Sequence, residues 1–320
     1  MSLPPVSVIM TVLEEEQHLP HAVRSVLAQD YPGVLEVVVA VGPSRDRTRE
    51  VADGLATADP RIRVVDNPSG RTPDGLNAAL AATSHEVVVR MDGHGELSEG
   101  YIRRAVEILE KTGAANVGGI MLAEGVGTLQ ETVALAMRSP LGMGSERFHV
   151  GGEAGPADTV FLGVFRREWL HRVGGYDPTF TRAQDWEMNH RIRQAGGTVW
   201  FTPELTVTYR PRSSFGDLAR QFYGSGQWRR QVVRHHPDSV NARYLAPPVT
   251  LVLVAAGAVG GLAWRPLWLL PAGYAAAVTL GGAWISRRHG RAVMARMPAV
   301  LATMHLTWGA GFLRGPRRRG

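Results

Sequence analysis

The first 110 residues alternate between short apolar runs and longer amphipathic stretches. The apolar runs are rich in valine and isoleucine, which favour β-strands, and a stretch with helical spacing of its apolar positions follows each run. A strand followed by a helix, repeated four times, predicts a mostly parallel sheet with helices on both faces. The four predicted strands lie at residues 6–12, 35–42, 62–67 and 86–92.

The carboxyl ends of these strands are where a ligand is expected, because α/β sheets bind ligands in the crevice outside that edge. The segments that follow the four strands carry acidic and polar side chains. They are residues 14–16, 44–48, 67–71 and 92–94. The pattern therefore predicts one functional site at this edge of the sheet.

Beyond residue 115 the alternation becomes less regular. Residues 152–204 indicate a strand, a short helix, a glycine-rich turn and a second helix from about residue 184 to 195. Asp185 falls in the first turn of that helix, where the helix dipole favours a carboxylate. Residues 215–236 then mix apolar with basic side chains. Such a mixture suits a membrane surface or the floor of a cleft.

Two long apolar runs follow, at residues 245–264 and 267–285. Each has roughly 20 residues without a charge, the length that crosses a bilayer core. Two buried helices of a soluble core are the alternative, but a chain of this size has little room to bury both. Basic residues flank both ends of the pair, so the positive-inside rule predicts a hairpin with both ends in the cytoplasm. The flanking residues are Arg229, Arg230, Arg234 and Arg243 before the pair and Arg287, Arg288 and Arg291 after it.

A third apolar segment, residues 297–313, is shorter and contains His305. Crossing the membrane again would carry the arginines near the C-terminus to the outside, so we expect an interfacial or re-entrant segment. These arginines are Arg314, Arg317, Arg318 and Arg319.

The changes in pattern predict four parts. Residues 1–215 form an α/β domain that faces the cytoplasm, and residues 216–244 form an amphipathic interface segment. Residues 245–286 form the transmembrane hairpin in the cytoplasmic membrane. Residues 287–320 form a basic, interfacial or re-entrant C-terminal segment.

Composition limits the classes of function. Basic residues number 35 and acidic residues 29, for a formal net charge of +6, and Lys111 is the only lysine. No aromatic-interleaved basic stripe occurs in the first 200 residues, so no nucleic-acid partner is expected. The absence of cysteine excludes disulfides, thiolate metal sites and a cysteine nucleophile. The N-terminal apolar run lacks a preceding basic region and therefore predicts a first strand rather than a signal peptide.

Two candidate metal ligands follow the fourth predicted strand. Asp92 and His94 are two residues apart, and the adjacent glycines give the backbone freedom to direct both side chains at one point. A carboxylate oxygen and a neutral imidazole suit Mn²⁺ or Mg²⁺, with positions left for phosphate oxygens. The alternative is a plain turn in which Asp92 caps the backbone and His94 is solvated.

Two other polar residues have both a functional and a structural interpretation, and a third has a structural one. Asp185 can be a general base, which needs a carboxylate within hydrogen-bond reach of the attacking hydroxyl, or a simple helix cap. Arg71 can pair bidentately with a diphosphate or remain a solvated loop residue. Asp46 is expected to cap the next helix, together with Thr48.

Taken in order, five segments resemble one family: the family 2 glycosyltransferases with a GT-A fold, and within it the membrane-anchored, succinoglycan-type bacterial branch. The resemblance covers roughly residues 5–235. VSVIMTVLEEEQHLPHAVRSVLAQDYP is similar to the opening strand and helix, and VVVAVGPSRDRT to the Asp-Gly-Ser-x-Asp-x-Thr segment. NPSGRTPDGLNAAL is similar to the phosphate-side loop and VVVRMDGHGELSEGYI to the Asp-x-Asp strand. VGGYDPTFTRAQDWEMNHRIRQAGG is similar to the acceptor segment with Gly-Gly-Tyr/Phe-Asp and Glu-Asp-x-Glu.

The resemblance implies a GT-A fold, a Rossmann-like and mostly parallel sheet with flanking helices, followed here by C-terminal membrane helices. It implies an inverting hexosyltransferase that moves a sugar from a nucleotide-diphosphate sugar, above all a UDP-sugar. The acceptor would be a lipid-linked sugar or glycan at the membrane, in cell-envelope or exopolysaccharide synthesis. Asp185 would be the catalytic base, and Asp92 and His94 would hold Mn²⁺ or Mg²⁺. The residues around the nucleotide sugar would be Glu15, Ser44, Asp46, Arg71 and Asp92.

Three departures from the family pattern limit what the resemblance implies. His94 stands where the Asp-x-Asp motif has its second acid. Val41, followed by Gly42, stands where the family has an acid that reads the uracil ring, so the base of the nucleotide is open. The Gln-x-x-Arg-Trp motif of processive members is not matched by QFYGSGQWRRQ, which favours the transfer of a single sugar.

Two other functions stay open. A metal-dependent nucleotidyltransferase would also have a Rossmann-like sheet, but it is expected to carry a glycine-rich, basic signature after the first strand, where TVLEEEQHL is acidic. A non-catalytic membrane partner of a polysaccharide assembly system is favoured by Val41 and by His94.

Overall fold

The computed structural model describes residues 3–316, which form two compact units. The first unit runs up to Leu122 and includes Gly151–Tyr209. The second unit comprises Ala123–Val150 and the chain from Arg210 onward. Residues 123–150, which we expected in the α/β domain, thus group with the C-terminal helices, and Arg317, Arg318 and Arg319 lie outside the described residues.

The first unit is built on a nine-stranded mixed sheet with the strand order β3-β2-β1-β4-β8-β6-β9-β5, and β7 pairs with β9. The strands β3, β2, β1 and β4 are parallel, and β8 joins β4 antiparallel. These parallel strands are the four that the sequence predicts. The strands are β1 Val6–Val12, β2 Leu35–Val41, β3 Ile62–Asp66, β4 Val87–Asp92, β5 Glu96–Leu97, β6 Asn116–Ala123, β7 Gly155–Pro156, β8 Phe161–Arg166 and β9 Val199–Tyr209.

Helices follow the parallel strands as the pattern predicts. Those of the first unit are α1 Leu19–Leu27, α2 Thr48–Ala58, α3 Thr72–Ala81, α4 Tyr101–Thr112, α8 Arg167–Arg172 and α9 Gln184–Gln194. Those of the second unit are α5 Thr128–Met137, α6 Pro140–Met143, α7 Arg147–Val150, α10 Phe215–His235, α11 Ala242–Gly260, α12 Leu269–Ser286 and α13 Arg291–Arg314.

The core of the first unit explains why its central strands read as unbroken apolar runs. Strands covered by helices on both faces bury every side chain, so alternation disappears from the sequence. Val89 on β4 packs in one cluster with Val23 of α1 and Ile102 of α4, and all three are fully buried. Each such side chain stabilises the fold by about 1.5–3 kcal/mol. Arg90 is the charged exception within β4, and it is also buried.

The second unit is organised around α13, which packs against α10, α11, α12 and α5. Glycines let these helices approach at backbone distance. A Cβ added at Gly226 of α10 would lie 2.0 Å from the carbonyl oxygen of Trp308, and one at Gly309 would lie 2.6 Å from that of Pro247. The contact of α5 with α13 is the reason that residues 123–150 belong to this unit.

Two helices of the second unit, Ala242–Gly260 and Arg265–Ser286, are long and apolar enough to cross a membrane. Only 17% of each apolar window is buried, so both helices present exposed apolar surface. The third apolar segment lies within α13, which runs from Arg291 to Arg314 as one helix. The interfacial or re-entrant placement of this segment at the membrane stays a prediction.

Candidate active site

The loops after β1 and β2 are joined by a row of hydrogen bonds. The backbone amides of residues 14–16 donate in turn to Ser44 Oγ (3.1 Å), Thr48 Oγ1 (2.7 Å) and Asp46 Oδ2 (3.1 Å). The bond from the Thr48 hydroxyl lowers the pKa of Asp46, whose Oδ1 also accepts the Thr48 amide at 3.0 Å. Ser44 and Asp46, predicted beside the nucleotide, therefore have their side chains bound to the loop that carries Glu15.

Glu15 and His94 form a hydrogen-bonded pair. Glu15 Oε1 lies 2.7 Å from His94 Nδ1, and the two side chains are 16% and 39% exposed. When Nδ1–H donates to a carboxylate, the neutral imidazole keeps its lone pair on Nε2, the arrangement that precedes metal binding in many histidine sites. Gly93 permits this approach, because a Cβ there would lie 2.6 Å from Val12 Cγ1.

Asp92 and Asp185 are joined by one guanidinium, that of Arg90, which the sequence pattern did not mark as a site residue. Arg90 Nη2 donates to Asp92 Oδ1 at 2.8 Å, and Arg90 Nη1 donates to Asp185 Oδ2. Arg90 is 3% exposed, whereas Asp92 and Asp185 are 25% and 20% exposed. A signal was present in the sequence: a charge inside the strand VVVRMD must find a partner, since unpaired buried charges are very costly.

Asp185 is not a helix cap in the structure. The N-cap of α9 is Ala183, without a side-chain capping bond, and the Asp185 carboxylate binds Arg90 instead. Burial raises the pKa of Asp185 to about 6, while Arg90 lowers it and Asp92 raises it. Its Oδ1 is buried and has no hydrogen-bond partner among the described residues. Asp185 thus has the proton affinity that a general base needs.

Buried polar contacts fix α9 on the sheet. Asn116 Nδ2 on β6 donates to Asn189 Oδ1 at 2.7 Å, and Asn189 Nδ2 donates to Thr159 Oγ1 at 3.0 Å. Glu187, the second acid of the acceptor segment, is 2% exposed and forms a bidentate pair with Arg191 at 2.5 and 2.6 Å. Glu187 therefore holds its own helix, and Asp185 is the acid of this segment that enters the site.

Arg71 lies in the loop after β3, at the same edge of the sheet. Asn67 fixes this loop by donating to Thr11 Oγ1 at 3.3 Å and to the Arg71 carbonyl at 3.1 Å. The Arg71 guanidinium is 46% exposed and pairs with Asp74 at 2.8 Å. Exposed pairs contribute only about 0–1 kcal/mol, so this guanidinium can exchange Asp74 for a phosphate. The structure shows no contact of Arg71 with Glu15, Asp92 or Asp185.

Two hydrogen-bonded groups therefore lie at one edge of the sheet: the pair Glu15–His94 and the trio Asp92–Arg90–Asp185. Residues 7–174, which carry most of both groups, match the family model described as glycosyl transferase family 2. The chain belongs to this family. The glycosyltransferase assignment replaces the nucleotidyltransferase alternative.

Two relatives of this glycosyltransferase align with most of its length. The succinoglycan biosynthesis protein ExoA of Rhizobium meliloti (strain 1021) is 32% identical over 314 residues, 96% of this chain and 93% of the relative. A glucuronosyltransferase of Methanococcus voltae is 21% identical over 238 residues, 72% of this chain and 74% of the relative. Its full name is dolichyl N-acetyl-alpha-D-glucosaminyl phosphate 3-beta-D-2,3-diacetamido-2,3-dideoxy-beta-D-glucuronosyltransferase.

A solved structure shares the fold of this glycosyltransferase. The mannosyltransferase PcManGT from Pyrobaculum calidifontis, in complex with GDP-Man and Mn²⁺, superposes with a TM-score of 0.62 and 21% identity. The match covers 97% of this chain and 87% of that one. The expected GT-A fold, a mixed α/β sheet with flanking helices, is thereby confirmed.

Proposed function

We propose that this glycosyltransferase moves one sugar, with inversion, from a nucleotide-diphosphate sugar to a membrane-associated acceptor in exopolysaccharide or cell-envelope synthesis. The observation that carries the proposal is Asp185, a largely buried carboxylate with a pKa of about 6 that Arg90 links to Asp92 at the end of β4. The succinoglycan biosynthesis relative supports the pathway, and the dolichyl phosphate in the name of the Methanococcus relative supports a lipid-linked acceptor.

Asp185 would act as the base. The acceptor hydroxyl attacks the anomeric carbon from the side opposite the diphosphate, so an oxygen–carbon bond forms while the bond from that carbon to the phosphate oxygen breaks. The hydroxyl proton passes to the Asp185 carboxylate, and the nucleoside diphosphate leaves with the electron pair. A base with a pKa near the working pH is both ionised and able to hold a proton, which makes it efficient.

Asp92 and His94 would hold Mn²⁺ or Mg²⁺. The donor set fits, because the Glu15 carboxylate orients the imidazole and Asp92 has one oxygen bound to Arg90 and a second oxygen for an ion. When bound, the ion supplies positive charge to the departing diphosphate. Arg71, at the same edge, would add a guanidinium to the phosphates. The Mn²⁺ in the structure of the mannosyltransferase supports this assignment.

The hairpin of α11 and α12 would span the cytoplasmic membrane, with the first unit on the cytoplasmic side. The 19 residues of α11 extend about 28 Å at 1.5 Å per residue, close to the thickness of a bilayer core. Trp264 and Trp268 are exposed near the turn of the hairpin, and Trp284 is exposed near its other end. Tryptophans at both ends suit the two membrane interfaces, and the Arg287 guanidinium lies 4.7 Å from the Trp284 ring.

The base of the donor remains a separate part of the proposal. A UDP-sugar is the donor that the family resemblance favours most. However, Val41 is 4% exposed and offers no carboxylate to a uracil ring, and the mannosyltransferase structure contains GDP-Man. We therefore include guanosine donors beside uridine donors.

The test uses the detergent-solubilised full chain, Mn²⁺, a panel of UDP- and GDP-sugars and a lipid-linked sugar acceptor. We expect one donor to raise the unfolding temperature and to be consumed, because a ligand that binds only the folded state stabilises it. Asp185→Asn should lower transfer by at least about 100-fold, the contribution of a general base. Asp53→Asn, an exposed acid on α2, is the matched control.

Undiminished transfer by Asp185→Asn would remove Asp185 as the base. Failure of every nucleotide sugar to stabilise the protein in the presence of Mn²⁺ would favour the non-catalytic membrane partner instead, for which Val41 and His94 are the motivating departures.

A further inference from the structure

Arg90 is a charged residue in the middle of the central sheet. In β4 it pairs with Ile9 of β1 and with Gly163 of β8, and its side chain is 3% exposed. Burial of a guanidinium is costly unless its hydrogen bonds are made to opposite charges, so this position needs an explanation. Its two partners, Asp92 and Asp185, lie 93 residues apart in the sequence and bind the two ends of this one planar group.

We propose that Arg90 is a positioning residue that fixes the orientation of the base Asp185 relative to Asp92 and thereby sets the geometry of sugar transfer. The inference rests on the proposed function, because the roles of Asp185 and Asp92 are taken from it. Arg90 itself acts through these two carboxylates and touches no reactant.

The alternation of side chains along a strand explains how Arg90 reaches both acids. Val87, Val89 and Met91 point to the face that packs in the apolar core, so Arg90 and Asp92 point together to the other face. Asp92 is thus bound by its neighbour on the same strand, and Asp185 is bound from the first turn of α9. A planar fork with fixed donors imposes one relative orientation on two carboxylates, which a flexible ammonium does not.

Arg90 binds one oxygen of each carboxylate. Asp185 Oδ2 is bound by Arg90, and Oδ1 has no hydrogen-bond partner among the described residues. Asp92 Oδ1 is bound by Arg90, which leaves Oδ2 for an ion. Arg90 therefore fixes how each of the two carboxylates is turned.

Two simpler roles for Arg90 fit the structure less well. Direct binding of a phosphate would need an accessible guanidinium, whereas this one is buried with both Nη atoms engaged. Attachment of α9 to the sheet is already provided by the bond between Asn116 and Asn189 at 2.7 Å. What Arg90 adds is the link between the two acids.

The electrostatics of the trio supports the same role. The ionisable groups around Asp185 are Arg90 and Asp92 on β4 and Tyr176 from the loop that precedes α9. The Arg90 guanidinium lowers the pKa of Asp185, while burial and the Asp92 charge raise it. Removal of the guanidinium should therefore make Asp185 harder to ionise as well as misplaced.

The experiment compares Arg90→Met, Arg90→Lys and the control Arg166→Met. Arg166 is a 27% exposed arginine of β8 that donates to the Leu109 carbonyl at 2.9 Å and lies outside the site. For each purified full-length variant we would measure the unfolding temperature, kcat and KM for the donor, and the pH dependence of kcat/KM.

We expect Arg90→Met to lower kcat by about 100-fold, the loss that a misplaced reacting group causes. Its donor KM should change much less. The acidic limb of the pH profile of kcat/KM should shift to higher pH by at least about one unit. Arg90→Lys should restore the acidic limb because it restores the charge, but it should recover only part of kcat because an ammonium cannot reproduce the fork. Arg166→Met should lower the unfolding temperature but leave kcat and the pH profile unchanged.

The inference is overturned if Arg90→Met loses activity only in proportion to its folded fraction, with the wild-type pH profile. If Arg90→Met does not fold, Arg90→Lys decides, and a wild-type kcat in that variant overturns the inference. Asp185→Asn distinguishes a failure of this inference from a failure of the proposed function. If Asp185→Asn is inactive while Arg90→Met transfers normally, only this inference fails, whereas full transfer by Asp185→Asn means that the proposed function fails.

Discussion

At the scale of single residues, the site depends on carboxylates that act through another side chain. Glu15 contacts His94 at 2.7 Å. In addition to its predicted contact with the nucleotide, Glu15 therefore orients the His94 imidazole. Glu14, next to it, has a φ of 58°, a left-handed conformation that costs a non-glycine residue about 1–2 kcal/mol. The hydrogen bonds from residues 14–16 to Ser44, Thr48 and Asp46 hold this turn and direct Glu15 towards the site.

Glu15→Gln should weaken metal activation. An amide is a poorer acceptor for the Nδ1–H of His94, and loss of such an orienting carboxylate typically costs about 10–100-fold in metal affinity. We expect the Mn²⁺ concentration for half-maximal activity to rise by at least about tenfold, and electron paramagnetic resonance of bound Mn²⁺ to report the same change without turnover. Glu14→Gln is the control, since within residues 3–316 its side chain accepts a hydrogen bond from the Arg45 amide alone, at 2.7 Å. An unchanged Mn²⁺ affinity in Glu15→Gln would speak against the orienting role.

The pH dependence of the wild-type enzyme should follow Asp185. Burial raises the pKa of this acid to about 6, and the base must be ionised, so kcat/KM should fall tenfold per pH unit below about pH 6. Activity falls on the acidic side because Asp185 acts as a base only in its deprotonated form. A profile of kcat/KM from pH 4.5 to 8 with the preferred donor measures it. A profile that stays flat down to pH 4.5 would contradict the assignment of Asp185 as the base.

At the scale of elements, α10 and α13 illustrate how small residues fix helix packing. Gly226 of α10 faces the Trp308 carbonyl, and Gly311 of α13 faces the Tyr223 carbonyl, each at 2.0 Å from the position of an added Cβ. Real Cβ atoms do not approach so closely, so larger side chains must separate the helices. The amphipathic segment predicted for residues 216–244 therefore includes a helix in which Gly226 is a packing contact.

Gly226→Val should destabilise the second unit. The new side chain has to move α13 away from α10, and such overpacking costs about 1–3 kcal/mol or more. Thermal unfolding in detergent should show a lower midpoint. Gly216→Ala on the same helix is the matched control, because its added Cβ would have 3.7 Å to the nearest atom, Arg220 Nη1. Alanine there should raise helix stability slightly. Equal midpoints for Gly226→Val and wild type would contradict the packing.

At the scale of the whole molecule, the chain combines an α/β unit with a helical unit whose α11 and α12 expose large apolar side chains. Examples are Val259 at 70%, Leu269 at 74% and Leu280 at 71%. Apolar surface of this extent is exceptional on soluble proteins and is a mark of membrane or protein contact. The proposed hairpin gives that surface a lipid environment.

Because the chain has no cysteine, single cysteines can map the membrane topology without background labelling. We expect Leu262→Cys, at the turn of the hairpin, to react with a membrane-impermeant maleimide in cells whose inner membrane is intact. Val34→Cys, at a 62% exposed site of the first unit, should react only after lysis. The reverse pattern, or extraction of the protein by alkaline wash, would contradict the proposed orientation and insertion.

The extent of prediction differs between fold and site. Valine-rich runs located the four parallel strands, because buried strands need apolar β-branched residues regardless of their neighbours. The turn after β4 placed Asp92 and His94 at the ligand-binding edge for the same local reason. Asp92, His94 and Asp185 each had a structural alternative in the sequence. For Asp185 a tertiary contact decided against the helix cap, because its carboxylate binds Arg90, whereas Asp46 binds the neighbouring loop.

The sequence by itself therefore determined the α/β sheet, the edge that holds the polar residues, the two long apolar helices and the family resemblance. Tertiary structure alone decided that Glu15 meets His94 across 79 residues and that Arg90 meets Asp185 across 95. It also decided that residues 123–150 join the C-terminal helices. The physical reason is that strand and helix periodicities are local, whereas the partner of a buried charge is set by which segments the fold brings together.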